Sequence, residues 1–360
     1  MTTKPLEASQ TLTKLDLTVG NPAYMQEYWD LVDKCYSGSM GTKKTHSQDL
    51  MSYDYEQVNA KLKDEVKWLH NKVGNAETRG YEVVFGNGAA QLVSAAMYAV
   101  TKMGATEGIV HAPYWGRIKQ LMKMGASAAY NFTSVVTENG EYPTLYSDTE
   151  IPAELIIWPN NPDNSLIIKK CETASKFKIH DLCYNWPQYI SEKSRIKRAD
   201  DIMIFGLAKA TGHAGTRFGW ALVKNKETYQ HMKKYIELST SGVSTDAQSR
   251  ALTIISTIKK LYSSEFTSCF DFGKAELDSR WKQFTKAAEK HKESFEILNS
   301  DGMFAWCEWQ GRVDGAQKML DAFSVLVIGG DSFGWENSHF RLNMGCSKES
   351  FHAMLERMSV

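Results

Sequence analysis

Between about residues 80 and 225 short apolar runs alternate with amphipathic stretches, and this alternation restricts the chain more than any other feature. The runs at 81–85, 108–111, 126–132, 155–158, 177–180, 202–207 and 217–223 are brief and rich in branched or aromatic side chains, the character of buried strands. Helical patterns lie between several of them, clearest at 89–102 and 117–123. Strands alternating with helices build a mainly parallel sheet covered on both faces, and such sheets bind ligands beyond the carboxyl ends of their strands. Functional side chains are therefore expected just after strands.

Past residue 224 the sequence turns to charged helical stretches through about 294, then to strand-like runs at 304–309, 325–328 and 340–344. This predicts a second, smaller α+β domain. Gly20-Asn21-Pro22 breaks the chain ahead of a helix at 24–34, and this amino-terminal segment is expected to pack with the second domain. The expected division is a large domain over 37–235 and a small domain assembled from 1–36 and 236–360.

Charge and cysteine usage exclude several classes. Lysine plus arginine equals aspartate plus glutamate at 42 each, so no net field draws nucleic acid or an anionic membrane. The six cysteines, at 35, 171, 183, 269, 307 and 346, are scattered without a CxxC, which suggests neither a disulfide framework nor a metal site and fits a reducing compartment. The first residues lack the apolar core of a signal peptide, and no apolar run approaches the ~18 residues of a membrane helix. The expectation is a cytoplasmic protein whose partners are small molecules or another protein.

Chemistry is then sought at the strand ends. Lys209 stands between the run at 202–207 and a glycine-punctuated turn carrying Arg217. A lysine that forms a Schiff base must be neutral to attack an aldehyde, which apolar walls or a nearby cation achieve; a solvated surface charge is its ordinary alternative. Phe85-Gly86-Asn87-Gly88-Ala89-Ala90-Gln91 is a glycine-rich turn into a helix, suited to a phosphate or to a tight connection. Ala112-Pro113-Tyr114-Trp115 offers aromatic faces that stack on a planar ligand or fill core. Asn160-Asn161-Pro162-Asp163 supplies amides where a phenolate oxygen could be met, or simply turns the chain. Asp181 directly follows the run at 177–180, with Tyr184 three residues on; a carboxylate there can keep a pyridinium nitrogen protonated or cap a helix.

Together these pieces follow the order of parts that hold pyridoxal phosphate. With Gly20-Asn21-Pro22, Glu27-Tyr28-Trp29, Met51-Ser52-Tyr53, Val73-Gly74-Asn75-Ala76-Glu77-Thr78, Thr211-Gly212-His213-Ala214-Gly215-Thr216-Arg217 and Phe340-Arg341-Leu342, the chain resembles the fold type I pyridoxal phosphate enzymes. Within them it is most similar to the alliinase and tryptophan aminotransferase related family.

The resemblance implies an α/β fold with a seven-stranded, mainly parallel sheet flanked by helices, and a homodimer with shared active sites. It implies that Lys209 forms the Schiff base, that Asp181 partners the pyridine nitrogen, and that Asn161 and Tyr184 partner the phenolic oxygen. Trp115 would stack on the ring with Tyr114 beside it at the substrate. Gly88, Ala89, Ala90 and Arg217 would hold the phosphate, and Tyr53 would reach the phosphate of the other subunit. Arg341 would grip the substrate α-carboxylate with its bidentate fork, while Gly20 and Asn21 line the substrate mouth.

Two departures from the family pattern are visible. Asn87, Ala89, Ala90, Gly206 and Ala208 stand where relatives commonly carry hydroxyls around the phosphate, which predicts weaker cofactor retention. Asn164 stands where glycine is usual after Asn-Pro-Asp. The implied activity is transfer of the amino group of an apolar or aromatic L-amino acid to a 2-oxo acid, with Lys209 as general base. An alliinase-like C–S lyase uses the same lysine, and an inactive scaffold that only binds is a third reading.

Overall fold

A computed structural model describes residues 14–18, 22–35, 56–126, 131–136, 151–166 and 176–359. In chain order its elements begin with β1 (Leu15–Asp16), α1 (Gln26–Cys35), α2 (Glu56–Val73), β2 (Glu82–Gly86), α3 (Ala89–Lys102), β3 (Glu107–Ala112), α4 (Ile118–Gly125) and β4 (Asn131–Val136). They continue with β5 (Pro152–Ile157), β6 (Phe177–Asp181), β7 (Ile202–Gly206), α5 (Leu207–Thr211), β8 (Gly219–Val223), α6 (Lys226–Thr240), α7 (Thr245–Leu261) and α8 (Cys269–Ala288). The last are β9 (Phe295–Ile297), β10 (Phe304–Trp309), α9 (Gly315–Phe323), β11 (Val325–Leu326), β12 (Ile328–Gly329), β13 (His339–Asn343) and α10 (Lys348–Arg357).

Seven strands form the central sheet in the order β2-β8-β7-β6-β5-β3-β4. Pairings among β4, β3, β5, β6 and β7 are parallel, and β8 runs antiparallel to both of its neighbours. All residues of β7 and β8 are buried, as expected of strands covered on both faces. Helix α3 carries a mainly apolar sequence, with Leu92 to Met97, Ala99 and Val100 buried. It approaches the sheet closely: a Cβ on Gly86 would lie 2.7 Å from Leu92 Cγ, so glycine there lets the helix start directly at the strand end.

A second, antiparallel sheet has the order β12-β13-β10-β9. Arg341 of β13 stands opposite Trp306 of β10 and Ile328 of β12. The amino-terminal β1 pairs in parallel with β11, and the Tyr24 N–H donates to the Gly345 carbonyl at 3.4 Å, so the chain's beginning lies against its carboxyl-terminal portion.

Two expected strands differ from the sequence reading. The run at 126–132 is met only at its ends: Ala126 closes α4 by donating to the Met122 carbonyl, 127–130 lie outside the described residues, and β4 occupies 131–136. The run at 325–328 divides around Val327, because Val325–Leu326 pairs with β1 whereas Ile328–Gly329 pairs with β13.

Candidate active site

Strands β2, β3, β5, β6 and β7 end at one edge of the sheet, and antiparallel β8 begins there. The glycine turn, the Tyr114–Trp115 pair, Asn161, Asp181, Lys209 and Arg217 therefore meet at that edge, the place where open α/β sheets bind ligands.

Lys209 sits in α5, a single helical turn between Gly206 in extended conformation and Gly212, whose φ of +88° suits the left-handed cap. So short a helix leaves its carbonyls without intrahelical partners, and neighbouring side chains supply them. Gln188 Nε2 donates to the Lys209 and Ala210 carbonyls, both at 3.1 Å; Tyr189 donates to the Lys209 carbonyl at 3.0 Å, and Trp29 Nε1 to the Thr211 carbonyl at 2.7 Å. The ammonium lies 5.5 Å from the centre of the Tyr184 ring. Although Lys209 keeps partial access to the cleft, protein surrounds it; burial first, and then the charge of Arg341, lower its pKa to about 8.

Asp181 ends β6 and is buried. Its Oδ1 accepts from the Cys183 N–H at 3.1 Å. Burial raises its pKa, opposed by the bonds from Cys183 and the charge of Lys209. A carboxylate in this position gains from a cation set against it. Tyr184 is held well above the usual phenol range by burial, opposed by Arg341, and so remains a neutral donor. Its hydroxyl accepts from Asn161 Nδ2 at 3.4 Å.

Arg341 reaches this group from the second sheet. Its Nη1 donates to Asn161 Oδ1 at 2.8 Å and its Nη2 to the Thr18 carbonyl at 3.2 Å. The guanidinium lies 4.0 Å from the Phe304 ring centre and 5.1 Å from that of Phe333. Burial lowers its pKa to about 10, which still leaves it charged near neutrality. Among the described residues its buried Nε meets no acceptor. A planar cation with an unused donor beside two aromatic rings has the chemistry to take a carboxylate.

At the other end of the edge Gly88, with φ +84°, turns the chain into α3 and leaves the amides of Ala89 and Ala90 at the helix start. Arg217 stands on a left-handed residue of φ +51° and leans over this turn: a Cβ on Gly88 would lie 2.7 Å from Arg217 Nη2. Its Nη1 donates to the Ala214 carbonyl at 3.0 Å. Asn87 Nδ2 is bonded to Thr240 Oγ1 at 3.2 Å, and that hydroxyl is already committed to the Gly242 carbonyl at 2.7 Å.

Tyr114 is buried, with its N–H on the Phe333 carbonyl at 3.0 Å; Trp115 is half-buried on the same turn. Gly20, Asn21 and Tyr53 lie outside the described residues. The sequence reading did not single out Gln188, Tyr189, Cys183, Phe304 or Phe333. For the first two the continuation of the Asp181–Tyr184 segment through Trp186-Pro187-Gln188-Tyr189 was the available signal; for the aromatic pair around Arg341 there was none.

The donor set fits pyridoxal phosphate. An amine lowered to about 8, a buried carboxylate that feels the charge of Lys209, an amide and phenol side by side, and an anion cradle closed by Arg217 match its aldehyde, ring nitrogen, phenolic oxygen and phosphate.

Comparison with known proteins agrees. A family model described as Allinase matches residues 15–360. Tryptophan aminotransferase-related protein 1 of Oryza sativa subsp. japonica is 31% identical, over 99% of this chain and 84% of its own length. An alliin lyase of Allium cepa var. aggregatum is 26% identical, over 98% of this chain and 83% of its own. Among solved structures, an aspartate aminotransferase double mutant of Thermus thermophilus superposes with a TM-score of 0.71 at 18% identity, covering 96% of this chain and 91% of the other, a likeness of fold.

Proposed function

Because the chain belongs to the alliinase family, whose relatives include aminotransferase-related proteins and alliin lyases, we propose that it is a pyridoxal phosphate-dependent aminotransferase acting on apolar or aromatic L-amino acids. The observation that carries this reading is the meeting of Lys209, Asp181, Asn161, Tyr184 and Arg341 at one sheet edge. Lys209 is the covalent tether of the cofactor, Asp181 its ring-nitrogen partner, and Asn161 with Tyr184 its phenolic-oxygen partners. Trp115 stacks on the ring, and Gly88, Ala89, Ala90 and Arg217 hold the phosphate. A homodimer, with Tyr53 of the partner subunit completing the phosphate site, belongs to the same reading.

Bound there, the cofactor supplies an electron-poor ring that draws electrons from the amino acid's Cα. The chain's own residues do the rest. Arg341 takes the α-carboxylate in its fork, which fixes how the Cα–H bond is presented. Lys209, once displaced, removes the Cα proton as general base in its neutral form, a form that its lowered pKa of about 8 makes far more abundant than for an ordinary lysine. Asp181 keeps its negative charge against the ring nitrogen. Phe304 and Phe333 exclude water around Arg341 and offer an apolar setting to the substrate.

Amino transfer and β-elimination share this proton removal. They part at whether Lys209 returns the proton or a group on Cβ departs. The aminotransferase-related relatives span 26 to 31% identity, with four of them at 29% or more, and the alliin lyases stand at 26%, which favours the first. Incubating the holoenzyme with a panel of amino acids, with and without 2-oxo acids, tests it. Product that requires an acceptor and disappears in Lys209→Ala is expected; ammonia and pyruvate formed without an acceptor would show the lyase instead.

A further inference from the structure

We propose that Asn164 is a positioning residue, a clasp that joins the turn carrying Asn161 to the turn leading into β10 and so holds together the two walls of the substrate site. The inference rests on the substrate-binding reading of Arg341 and Asn161 given above.

The first turn is closed on itself. The Asn160 N–H donates to the Ser165 carbonyl and the Asn164 N–H to the Asn160 carbonyl, both at 3.0 Å, while Asn160 Nδ2 reaches Pro113 O and Asp163 Oδ1, both at 2.8 Å. Asn161 is carried on this closed turn. Asn164 adopts φ +55°, which aims its side chain away from the turn. Its Nδ2 donates to Asp301 Oδ1 at 2.8 Å and to the Tyr189 carbonyl at 3.4 Å.

The receiving turn is equally fixed. Asn299 Nδ2 donates to the Asp301 and Phe304 carbonyls at 3.0 and 2.8 Å, its Oδ1 accepts from the Trp306 N–H at 2.8 Å, and Trp281 Nε1 bonds the Gly302 carbonyl at 2.8 Å. Gly302, at φ +89°, leaves the space that the Asn164 amide occupies: a Cβ there would lie 2.3 Å from Asn164 Cγ. Phe304, three residues after Asp301, then connects this turn to the site, because its ring centre lies 4.0 Å from the Arg341 guanidinium.

Both turns also line a cleft of about 610 Å³, with Asp163, Asn164, Leu298, Asp301, Trp306 and Trp335 in its wall and Lys209, Asn161, Tyr184 and Arg341 outside it. Two side-chain bonds link the walls, Arg341 to Asn161 and Asn164 to Asp301, each 2.8 Å. An entering carboxylate competes for the Arg341 fork, and the Asn164 clasp keeps the walls apposed while that bond is exchanged. Asn164 touches no reacting atom in this scheme. Its loss acts on binding and leaves the chemical step alone.

Asn164→Gly removes the amide while glycine accepts the positive φ without strain. The expected result is a rise of about tenfold in KM for the amino acid, the lower end for one lost bond to a charged group, with kcat within about twofold. In the ligand-free protein, hydrogen exchange over 298–306 should become faster. Asp301→Asn keeps an oxygen acceptor and should stay near wild type in both measurements, whereas Asp301→Ala should match Asn164→Gly. The two losses combined should be no worse than either alone. Asn164→Gly with unchanged KM and unchanged exchange, or with kcat lost and KM preserved, overturns the clasp. A wild-type protein that turns over no amino acid overturns the reading on which it rests, and the exchange measurement then decides the clasp by itself.

Discussion

The phosphate cradle invites the sharpest perturbation, because Arg217 is the cation that leans directly over its turn. Ala89, Ala90, Gly206 and Ala208 bring no hydroxyl, and the nearby Thr240 hydroxyl is committed to Asn87, Gln91 and Gly242. At the turn itself stand the pair of amides at the start of α3 and the Arg217 guanidinium over Gly88, with Thr216, Ser244 and Arg250 further along the same cleft. A hydrogen bond to a charged group contributes about 1.5 to 3 kcal/mol. Arg217 is exposed, so screening puts its share at the lower end, and Arg217→Ala should weaken cofactor binding about ten- to thirtyfold.

The converse change can be judged from the space around Gly206. That residue is extended, at φ −146° and ψ 140°, and a Cβ there would meet Cys183 Sγ at 3.6 Å, Ala89 Cβ at 3.7 Å and the Ala89 nitrogen at 3.9 Å, all ordinary contacts. Gly206→Ser should therefore fit, restore one hydroxyl, and tighten cofactor binding about three- to tenfold, partly rescuing Arg217→Ala. Titration of the apoprotein with pyridoxal phosphate in phosphate-free buffer, followed by absorbance, reads both. Arg217→Ala binding within threefold of wild type, or a Gly206→Ser variant that folds and binds no better, would refute the reasoning.

Two further outcomes concern pH. The rate at which apoprotein captures the cofactor should climb about tenfold per pH unit below about 8 and level off above it, following the neutral fraction of Lys209; a rate flat from pH 6 to 9 would contradict this. His70 is fully buried, accepts from Trp220 Nε1 at 2.8 Å and sits 2.8 Å from Asn75 Oδ1, and burial lowers its pKa to about 4. The unfolded chain therefore takes up that proton first. The stability present above pH 6.5 should be lost as pH falls toward 4, by about 3 kcal/mol from this residue. Urea midpoints at pH 7.5 and 4.5 that coincide would contradict it.

Much of this arrangement was legible because it is periodic or local. The apolar repeat at 89–102 coincides with α3, and each parallel strand of the sheet but β4 falls on a run of branched or aromatic residues. The strand-end rule then located Asn161, Asp181 and Lys209, which the structure brings to one edge. What could not be read depends on distant contacts. Asn164 and Asp301 are separated by 137 positions, and nothing in either neighbourhood announces the other. Phe304 and Phe333 read as core until the second sheet sets them against Arg341. The division of 325–328 between two partners follows from a choice of sheet that strand propensity does not encode.

The central claim, amino transfer through Lys209, is tested most directly by a half-reaction. Holoenzyme mixed with an aromatic L-amino acid and no acceptor should release one equivalent of 2-oxo acid per bound cofactor, stop, and resume when a 2-oxo acid is added. Continued release of ammonia with pyruvate in the absence of acceptor, or no product from any amino acid tried, would contradict it.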